Sequence, residues 1–261
     1  MEDGPDYLSV TELSGSEVSR EQVERLFHRY RWAAEYCKNK DVAEIACGTG
    51  SGLGLLQEIS GTFEAGDYAR PMLDRVRAHY GDRIKLRQFD AQDMPYADAS
   101  KDVLIIFEAI YYLPDIDRFI SECRRVLRPN GYLLIATANK DLSDFNPSPY
   151  SHRYLGVREL MEEFRALGSH IEMFGFLTVD EVSWVQRLLR PVKRLVVKLG
   201  LMPKTMGGKK FLKRLVFGPP VIMPAEVSAD DFKYSQPEPL SLESRDRRHK
   251  VIYCVVRRAD D

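Results

Sequence analysis

The pattern of hydrophobic and polar positions predicts helices that alternate with strands along most of the chain. Apolar residues recur at helical spacing in 16–38, whereas the run 102–106 is typical of a strand buried on both faces of a sheet. This alternation predicts a parallel, doubly wound α/β sheet. The predicted helices are 16–38, 52–59, 70–80, 115–127 and 157–167. The predicted strands are 41–47, 62–66, 84–89, 102–106, 132–138, 170–179 and 250–257, with a turn at 129–131.

Two segments interrupt the alternation. Residues 140–156 follow a predicted strand, in the position where a lid or substrate loop would lie. Residues 183–214 have the pattern of two basic amphipathic helices, and 219–248 is a loop-rich stretch punctuated by five prolines. We therefore expect a body and a helical, loop-rich insertion that forms a substrate lid before the last strand. The expected units are 1–180 with 249–261 for the body, and 181–248 for the insertion.

The charge distribution singles out the same insertion. The 261 residues carry a formal net charge of −1, but the stretch between Glu181 and Glu226 has ten Lys and Arg and no acidic residue. The remainder therefore carries −11. The basic stretch has three interpretations: a lid that attracts an anionic substrate, a surface for peripheral membrane contact, or a solvated helix pair. Nucleic acid is a poor candidate partner, because no recognised binding module accompanies the charge.

Cysteine spacing and the first residues bear on compartment and metal content. The four cysteines lie 10, 76 and 131 positions apart, which matches neither a disulfide framework nor a zinc site. The acidic start contains no signal-like apolar stretch, and the apolar runs are too short to span a bilayer. We therefore expect a cytoplasmic protein with reduced thiols and no bound metal.

A glycine-rich turn after the first long strand is the strongest motif. The sequence reads Glu44-Ile45-Ala46-Cys47-Gly48-Thr49-Gly50-Ser51-Gly52, so that a strand enters a turn that opens a helix. Glycines let the backbone approach a ligand, and the helix start offers free N–H groups. Leu53 occupies the position where a dinucleotide fingerprint requires glycine, which argues against a pyrophosphate site and a dehydrogenase.

Glu44 lies inside the predicted buried strand, where a carboxylate needs a partner. A Lys or Arg of the protein could pair with it, and so could an ammonium group of a ligand above the strand end. The adjacent glycine turn favours the ligand.

These residues resemble motif I of the class I S-adenosylmethionine (SAM)-dependent methyltransferases. Segments 66–73, 90–96 and 123–131 are similar to later motifs of that family and follow in the family's order, although Asn130 replaces a glycine of the usual turn. The resemblance covers roughly 20–180 and the last strand. It implies a Rossmann-like sheet of about seven strands, an antiparallel last strand and SAM as cofactor.

The resemblance also implies roles for individual residues. Asp67 would bind the ribose hydroxyls, and Asp90 with the next backbone amide would bind the adenine. Arg29 would bind the methionine carboxylate and Tyr30 would lie over the cofactor, the alternative being a solvated arginine and a core tyrosine. The expected cofactor-binding residues are Arg29, Tyr30, Glu44, Ala46, Gly48, Gly50, Gly52, Asp67, Tyr68, Met72, Asp90, Ala91, Gln92 and Phe107.

Three residues are candidates for catalysis. Methyl transfer requires proximity, alignment and, for an oxygen acceptor, a base. Glu108 and Tyr111 follow the fourth strand of the predicted sheet, at the end where such sheets bind ligands. Glu108 is a candidate base, or a structural partner of the N-terminal helix. His152 in the substrate loop is a candidate general base, or a solvated histidine.

The predicted function is methyl transfer from SAM to an oxygen or nitrogen of a small biosynthetic intermediate. A sugar or another anionic or carrier-linked molecule is the leading expectation for the acceptor, on the resemblance and the basic insertion. The alternative is a non-catalytic SAM- or ligand-binding protein on the same scaffold.

Overall fold

The computed structural model describes residue 7 and residues 10–11, 13–179 and 219–260. The predicted basic helices in 183–214 lie outside the described residues. No helix in the described ranges combines the length and the apolar character that a membrane span requires.

Helices and strands alternate over the described body, as the pattern predicts. The helices are α1 (Arg20–Cys37), α2 (Leu53–Ile59), α3 (Arg70–Tyr80), α4 (Ile116–Val126) and α5 (Val157–Phe164), with a 3₁₀ turn at Ile110–Tyr112. The strands are β1 (Glu17–Val18), β2 (Asp41–Ile45), β3 (Thr62–Asp67), β4 (Lys85–Gln88), β5 (Lys101–Phe107), β6 (Leu127–Ala138), β7 (Gly168–Thr178), β8 (Val221–Ile222), β9 (Glu238–Pro239) and β10 (His249–Arg258).

The central sheet has eight strands in the order β4-β3-β2-β5-β6-β10-β7-β9. Strands β2 to β6 are parallel, whereas β10 is antiparallel to both of its neighbours, as the resemblance implies. Seven strands were expected, and the eighth is the two-residue edge strand β9, which pairs with β7. The strand order reverses between β2 and β5, which is where ligands bind in doubly wound sheets.

The core occupies both faces of the sheet. Alternate residues of β5 belong to different apolar clusters, with Leu104 and Ile106 on one side and Val103 and Ile105 on the other. All four are fully buried. The prediction that this run is buried on both faces is therefore confirmed.

Element ends differ from the predicted ones for local reasons. Helix α1 begins at Arg20 because Ser19 caps it in a reciprocal pair with Gln22. The predicted turn at 129–131 lies inside β6, where the pairing of β6 with β5 shifts its register. Asn130 has a φ of +63° there. Gly168 begins β7 and does not end α5; a side chain there would lie 2.6 Å from Val256.

The described part of the insertion, 219–248, packs along the body. Strand β8 pairs with β1, and the Phe232 ring lies 5.5 Å from that of Phe27 on α1. Further along, Gln236 donates to Glu35 at 2.8 Å, before the chain forms β9 at the sheet edge. This segment is loop-rich, as expected, with two strands of only two residues each.

Candidate active site

A cavity of about 660 Å³ opens at the carboxyl ends of β2, β3 and β5. Its lining includes Glu44 and the turn after β2, Asp67 at the end of β3, and Glu108 after β5. Every residue predicted for the site lines it, with the exception of Gly52. The sheet therefore brings residues that are distant in sequence to one place, where open α/β sheets bind ligands.

The turn after β2 combines unusual backbone angles with close packing. Ala46, Gly48 and Gly50 have φ values of +55°, +56° and +77°. Gly52 was expected to contact the cofactor, but it packs instead against Tyr30, whose ring would lie 2.2 Å from an added Cβ. Gly52 thus provides space for a protein side chain beneath the turn.

Glu44 has one hydrogen-bonded oxygen and one without a partner. Its side chain is buried, and Oε1 accepts a 2.6 Å hydrogen bond from the Tyr30 hydroxyl. Oε2 has no hydrogen bond, and no salt bridge to Glu44 occurs within the described chain. Burial raises the pKa of Glu44 to about 8. A cationic ligand group in the cavity would supply the missing partner.

Tyr30 is a core residue that also reaches the cavity. Its ring meets Phe107 edge-on at 5.4 Å, and burial raises the pKa of its hydroxyl, so that it stays protonated and donates to Glu44. The resemblance implies a position over the cofactor, whereas the structure shows this ring packed beneath the glycine turn, against Gly52.

Arg29 presents a cation at the same end of the cavity. Its guanidinium carbon lies 5.7 Å from the centre of the Tyr30 ring and 6.0 Å from that of Phe107. Its Nε is buried without a hydrogen bond, and no ion pair to it occurs among the described residues. This environment favours an anionic ligand group over the alternative of a solvated arginine.

Asp67 is held rigidly at the end of β3. Its Oδ2 accepts from the Gly48 N–H and its Oδ1 from the Ala69 N–H, both at 2.8 Å. Burial raises the pKa of this carboxyl. Each oxygen keeps a second lone pair, so the group can still accept hydrogen bonds from a diol.

Asp90 and Gln92 form a local hydrogen-bonded unit at another wall. Asp90 Oδ1 accepts from the Gln92 backbone at 2.9 Å and from its side-chain amide at 3.0 Å. Gln92 Oε1 in turn accepts from the Asp115 N–H at 2.9 Å. Met72 and Ala91 are buried in the lining, whereas Tyr68 is 62% exposed.

Glu108 lines the cavity directly after β5. It has a φ of +52°, which is uncommon for a residue other than glycine. Its Oε1 accepts from Arg25 at 3.3 Å and its Oε2 from the Tyr111 hydroxyl at 3.4 Å. Both predicted interpretations thus find support, because Glu108 lines the cavity and also pairs with α1.

Tyrosine rings surround Tyr111. Its ring stacks on Tyr154 at 4.1 Å and meets Tyr112 edge-on at 4.6 Å. Burial raises the pKa of the Tyr111 hydroxyl, so it acts as a hydrogen-bond donor and not as a base. His152 lines the cavity with an exposed side chain, while its backbone N–H donates to the Tyr111 carbonyl at 2.7 Å.

The lining also contains residues that the sequence did not predict, among them Tyr7, Arg25, Tyr112 and Met223. Arg25 could have been found, because it lies one helical turn before Arg29. Tyr7 meets the Tyr112 ring edge-on at 5.3 Å, a contact across more than a hundred residues that carries no local sequence signal. No cluster of three or more metal-ligating side chains occurs in the part of the chain that the structure describes.

Comparison with known proteins agrees with this geometry. Residues 43–135 match a family model described as a methyltransferase domain. A probable SAM-dependent methyltransferase of Mycolicibacterium smegmatis is 35% identical over 149 residues, which are 55% of this chain and 57% of that protein. Residues 43–135 therefore form a methyltransferase domain, and the chain is similar to proteins named as SAM-dependent methyltransferases. The chain spans about half the length of the curated relatives it matches.

Other relatives and solved structures extend the comparison of the methyltransferase domain. A fatty-acid O-methyltransferase of M. smegmatis is 32% identical over 143 residues, covering 52% of this chain and 50% of that protein. A chain in the complex of the Haloferax volcanii Trm112 methyltransferase activator with the putative methyltransferase has a TM-score of 0.59 at 16% identity, covering 92% and 93% of the two chains. A SAM-dependent methyltransferase from Archaeoglobus fulgidus has a TM-score of 0.57 at 16% identity, covering 90% and 94%. At these identities the structural matches show the fold.

Proposed function

We propose that this protein transfers the methyl group of SAM to an oxygen of a small molecule, with nitrogen as the second candidate atom. One observation carries the proposal: the unpartnered oxygen of Glu44 and the carboxylate of Glu108 line the same cavity. The first is a site for a cationic group of the cofactor. The second is a proton acceptor for the acceptor molecule.

The residues present fit SAM. Glu44 Oε2 would pair with its ammonium group, Arg29 with its carboxylate, and Asp67 with its ribose hydroxyls. Asp90 and the Ala91 backbone would bind the adenine. When bound, SAM supplies a methyl group that is already activated on a sulfonium.

The other side chains prepare the acceptor. Glu108 takes the proton that an acceptor hydroxyl loses, while Arg25 and Tyr111 hold its two oxygens in place. The Tyr111 ring forms part of the cavity wall, and the Tyr154 ring stacks on it at 4.1 Å. We assign His152 a secondary role, in which its exposed side chain contacts the acceptor.

The charges of the described lining favour an acceptor without a negative charge. Four carboxylates line the cavity, against the guanidinium groups of Arg25 and Arg29, and Arg25 is paired with Glu108. Among the relatives, a fatty-acid O-methyltransferase supports oxygen as the target, and a phthiotriol/phenolphthiotriol dimycocerosates methyltransferase supports a lipid-like acceptor. An anionic, sugar-linked or carrier-linked acceptor would depend on the basic residues of the insertion, which lie outside the described residues.

A non-catalytic SAM-binding protein is the second candidate, and the Arg25–Glu108 pair favours it, because Glu108 then has a structural partner on α1. The deciding experiment incubates the protein with methyl-labelled SAM and a panel of hydroxylated lipids, phenols, sugars and amines. Labelled product from a hydroxylated acceptor is expected, with S-adenosylhomocysteine (SAH) formed in equal amount. Saturable SAM binding without product from any member of the panel would favour the second candidate.

A further inference from the structure

The buried pair of Tyr30 and Glu44 joins helix α1 to strand β2 at the cofactor end of the cavity. The Tyr30 ring has little freedom, since Gly52 closes one side and Phe107 meets it edge-on. Its hydroxyl holds Glu44 Oε1 at 2.6 Å. The carboxyl group is thereby fixed with its other oxygen, Oε2, buried and without a hydrogen bond.

The charges around Glu44 do not compensate for its burial. Burial is the largest influence on its pKa, and Asp67 raises the pKa further, whereas the Tyr30 hydrogen bond and the Arg29 charge lower it. The result is a pKa of about 8, so an isolated Glu44 carries a proton at neutral pH. The titratable and charged groups that interact with it are Arg29, Tyr30 and Cys37 on α1, Cys47 in the glycine turn, Asp67 on β3 and Tyr80 on α3.

We propose that Tyr30 is a positioning residue for Glu44, and that the arrival of a ligand ammonium group at Oε2 releases the Glu44 proton to solvent. The O–H bond of the neutral carboxyl breaks, its electron pair stays on Oε2, and the new carboxylate pairs with the ammonium group. No other bond changes. The inference rests on the proposed function, because SAM and SAH supply the ammonium group.

Proton release makes cofactor binding depend on pH. Below pH 8 the neutral carboxyl must lose its proton before it can pair with the ligand, so affinity falls by up to tenfold for each lower pH unit. SAH affinity should be about tenfold weaker at pH 6 than at pH 7. Tyr30→Phe removes a hydrogen bond that lowers the Glu44 pKa, so this dependence should move to higher pH.

The test is calorimetric titration of the full chain with SAH at pH 7, in buffers of different ionisation enthalpy. The wild type should release about 0.9 proton per SAH bound. Glu44→Gln cannot release this proton, and it corrects for any proton exchanged by the amino group of SAH itself. Tyr36→Phe is a matched control, since it makes the same change on the same helix at a residue half-buried against Trp32.

The outcomes separate the inference from the proposed function. A release that is larger in the wild type than in Glu44→Gln, with a pH curve shifted in Tyr30→Phe and unshifted in Tyr36→Phe, supports the inference. SAH binding with equal proton release in the wild type and in Glu44→Gln overturns it and leaves the proposed function intact. Failure of SAH to bind the wild type overturns both.

Discussion

Strained backbone angles lie at the two strand ends that face the cavity. Ala46 follows β2 with a φ of +55°, and Glu108 follows β5 with a φ of +52°. A residue other than glycine in this region costs about 1–3 kcal/mol and persists only where its surroundings enforce it. At Glu108 the backbone N–H donates to the Ala136 carbonyl at 2.8 Å, which fixes the turn. Both of these uncommon backbone angles lie in the lining of the cavity.

Replacement of Glu108 by Gln tests its assignment as the base. The amide keeps the size of the side chain but cannot accept the proton, so turnover should fall by about 100-fold or more. SAH affinity should stay within about twofold of wild type, because the cofactor group is held elsewhere. Methyl transfer to an acceptor found in the panel is the measurement, with the exposed Glu243→Gln as control. Undiminished turnover of Glu108→Gln would exclude this base.

Asp67→Ala tests the ribose site. The variant removes the acceptor of two backbone N–H groups and two lone pairs for a diol, so SAH affinity should fall by about 100-fold, as for a charge-assisted pair of hydrogen bonds. Asp74→Ala removes the same charge from an exposed position on α3, where it pairs with Arg70 and Arg77. It should bind SAH like the wild type. Full affinity in Asp67→Ala would mean that this carboxylate does not hold the cofactor.

At the scale of elements, helix α1 carries much of the site. It presents Arg25, Arg29 and Tyr30 to the cavity, and its start is fixed by Ser19. The Ser19 backbone N–H donates to Gln22 Oε1 at 2.8 Å, and the Gln22 N–H donates to Ser19 Oγ at 3.3 Å. The two hydrogen bonds of this reciprocal cap thus satisfy backbone N–H groups that have no partner within the helix.

Ser19→Ala should therefore destabilise the fold by about 1 kcal/mol, the usual cost of losing an N-cap. The free energy of unfolding from urea titration is the measurement. Ser121→Ala is the control, because Ser121 is an exposed residue within α4 that bonds only to its own helix, at the Asp117 carbonyl. Its stability should stay within about 0.5 kcal/mol of wild type. Equal stabilities of wild type and Ser19→Ala would show that the cap contributes nothing.

Elements with strong periodicity could be predicted from the sequence, whereas those made by tertiary pairing could not. Helix α3 has its predicted bounds, because Pro71 favours its start and Gly81 ends it. Strands β8 and β9 have two residues each and exist only through pairing with β1 and β7. No local pattern of apolar residues can indicate them.

The residues of the site likewise fall into those that local sequence predicts and those that depend on tertiary packing. Asp67, Asp90 and the glycine turn lie at strand ends, so their place in the cavity follows from motifs and from the sheet. The hydrogen bond between Tyr30 and Glu44 joins two elements, and Gly52 packs against the Tyr30 ring, so both depend on how α1 lies on the sheet. That placement is a property of the assembled fold.

At the scale of the whole molecule, His28 joins α1 to the C-terminal part of the chain. Its ring stacks on Phe176 of β7 at 3.5 Å, and its Nε2 lies 3.3 Å from Ser235 Oγ. Burial lowers the pKa of His28 to about 4. The folded state thus holds a neutral imidazole, while the unfolded chain binds a proton near pH 6.5.

Stability should therefore fall as the pH drops from about 6.5 towards 4, because the unfolded state gains the proton first. Between pH 7 and pH 5 the wild type should lose about 2 kcal/mol more than His28→Gln. Urea unfolding at both pH values measures this difference. The exposed His170→Gln is the control, and its loss should match that of the wild type. An equal loss in His28→Gln would contradict the neutral buried imidazole.

The function of the cavity depends on which nucleotide-like ligand it binds. Calorimetric titration of the wild-type chain with SAH, SAM and NAD tests this most directly. We predict saturable binding of one SAH per chain, displacement of SAH by SAM, and no heat of binding with NAD. Saturable NAD binding, or the absence of saturable SAH binding, would contradict the assignment of this cavity as a SAM site.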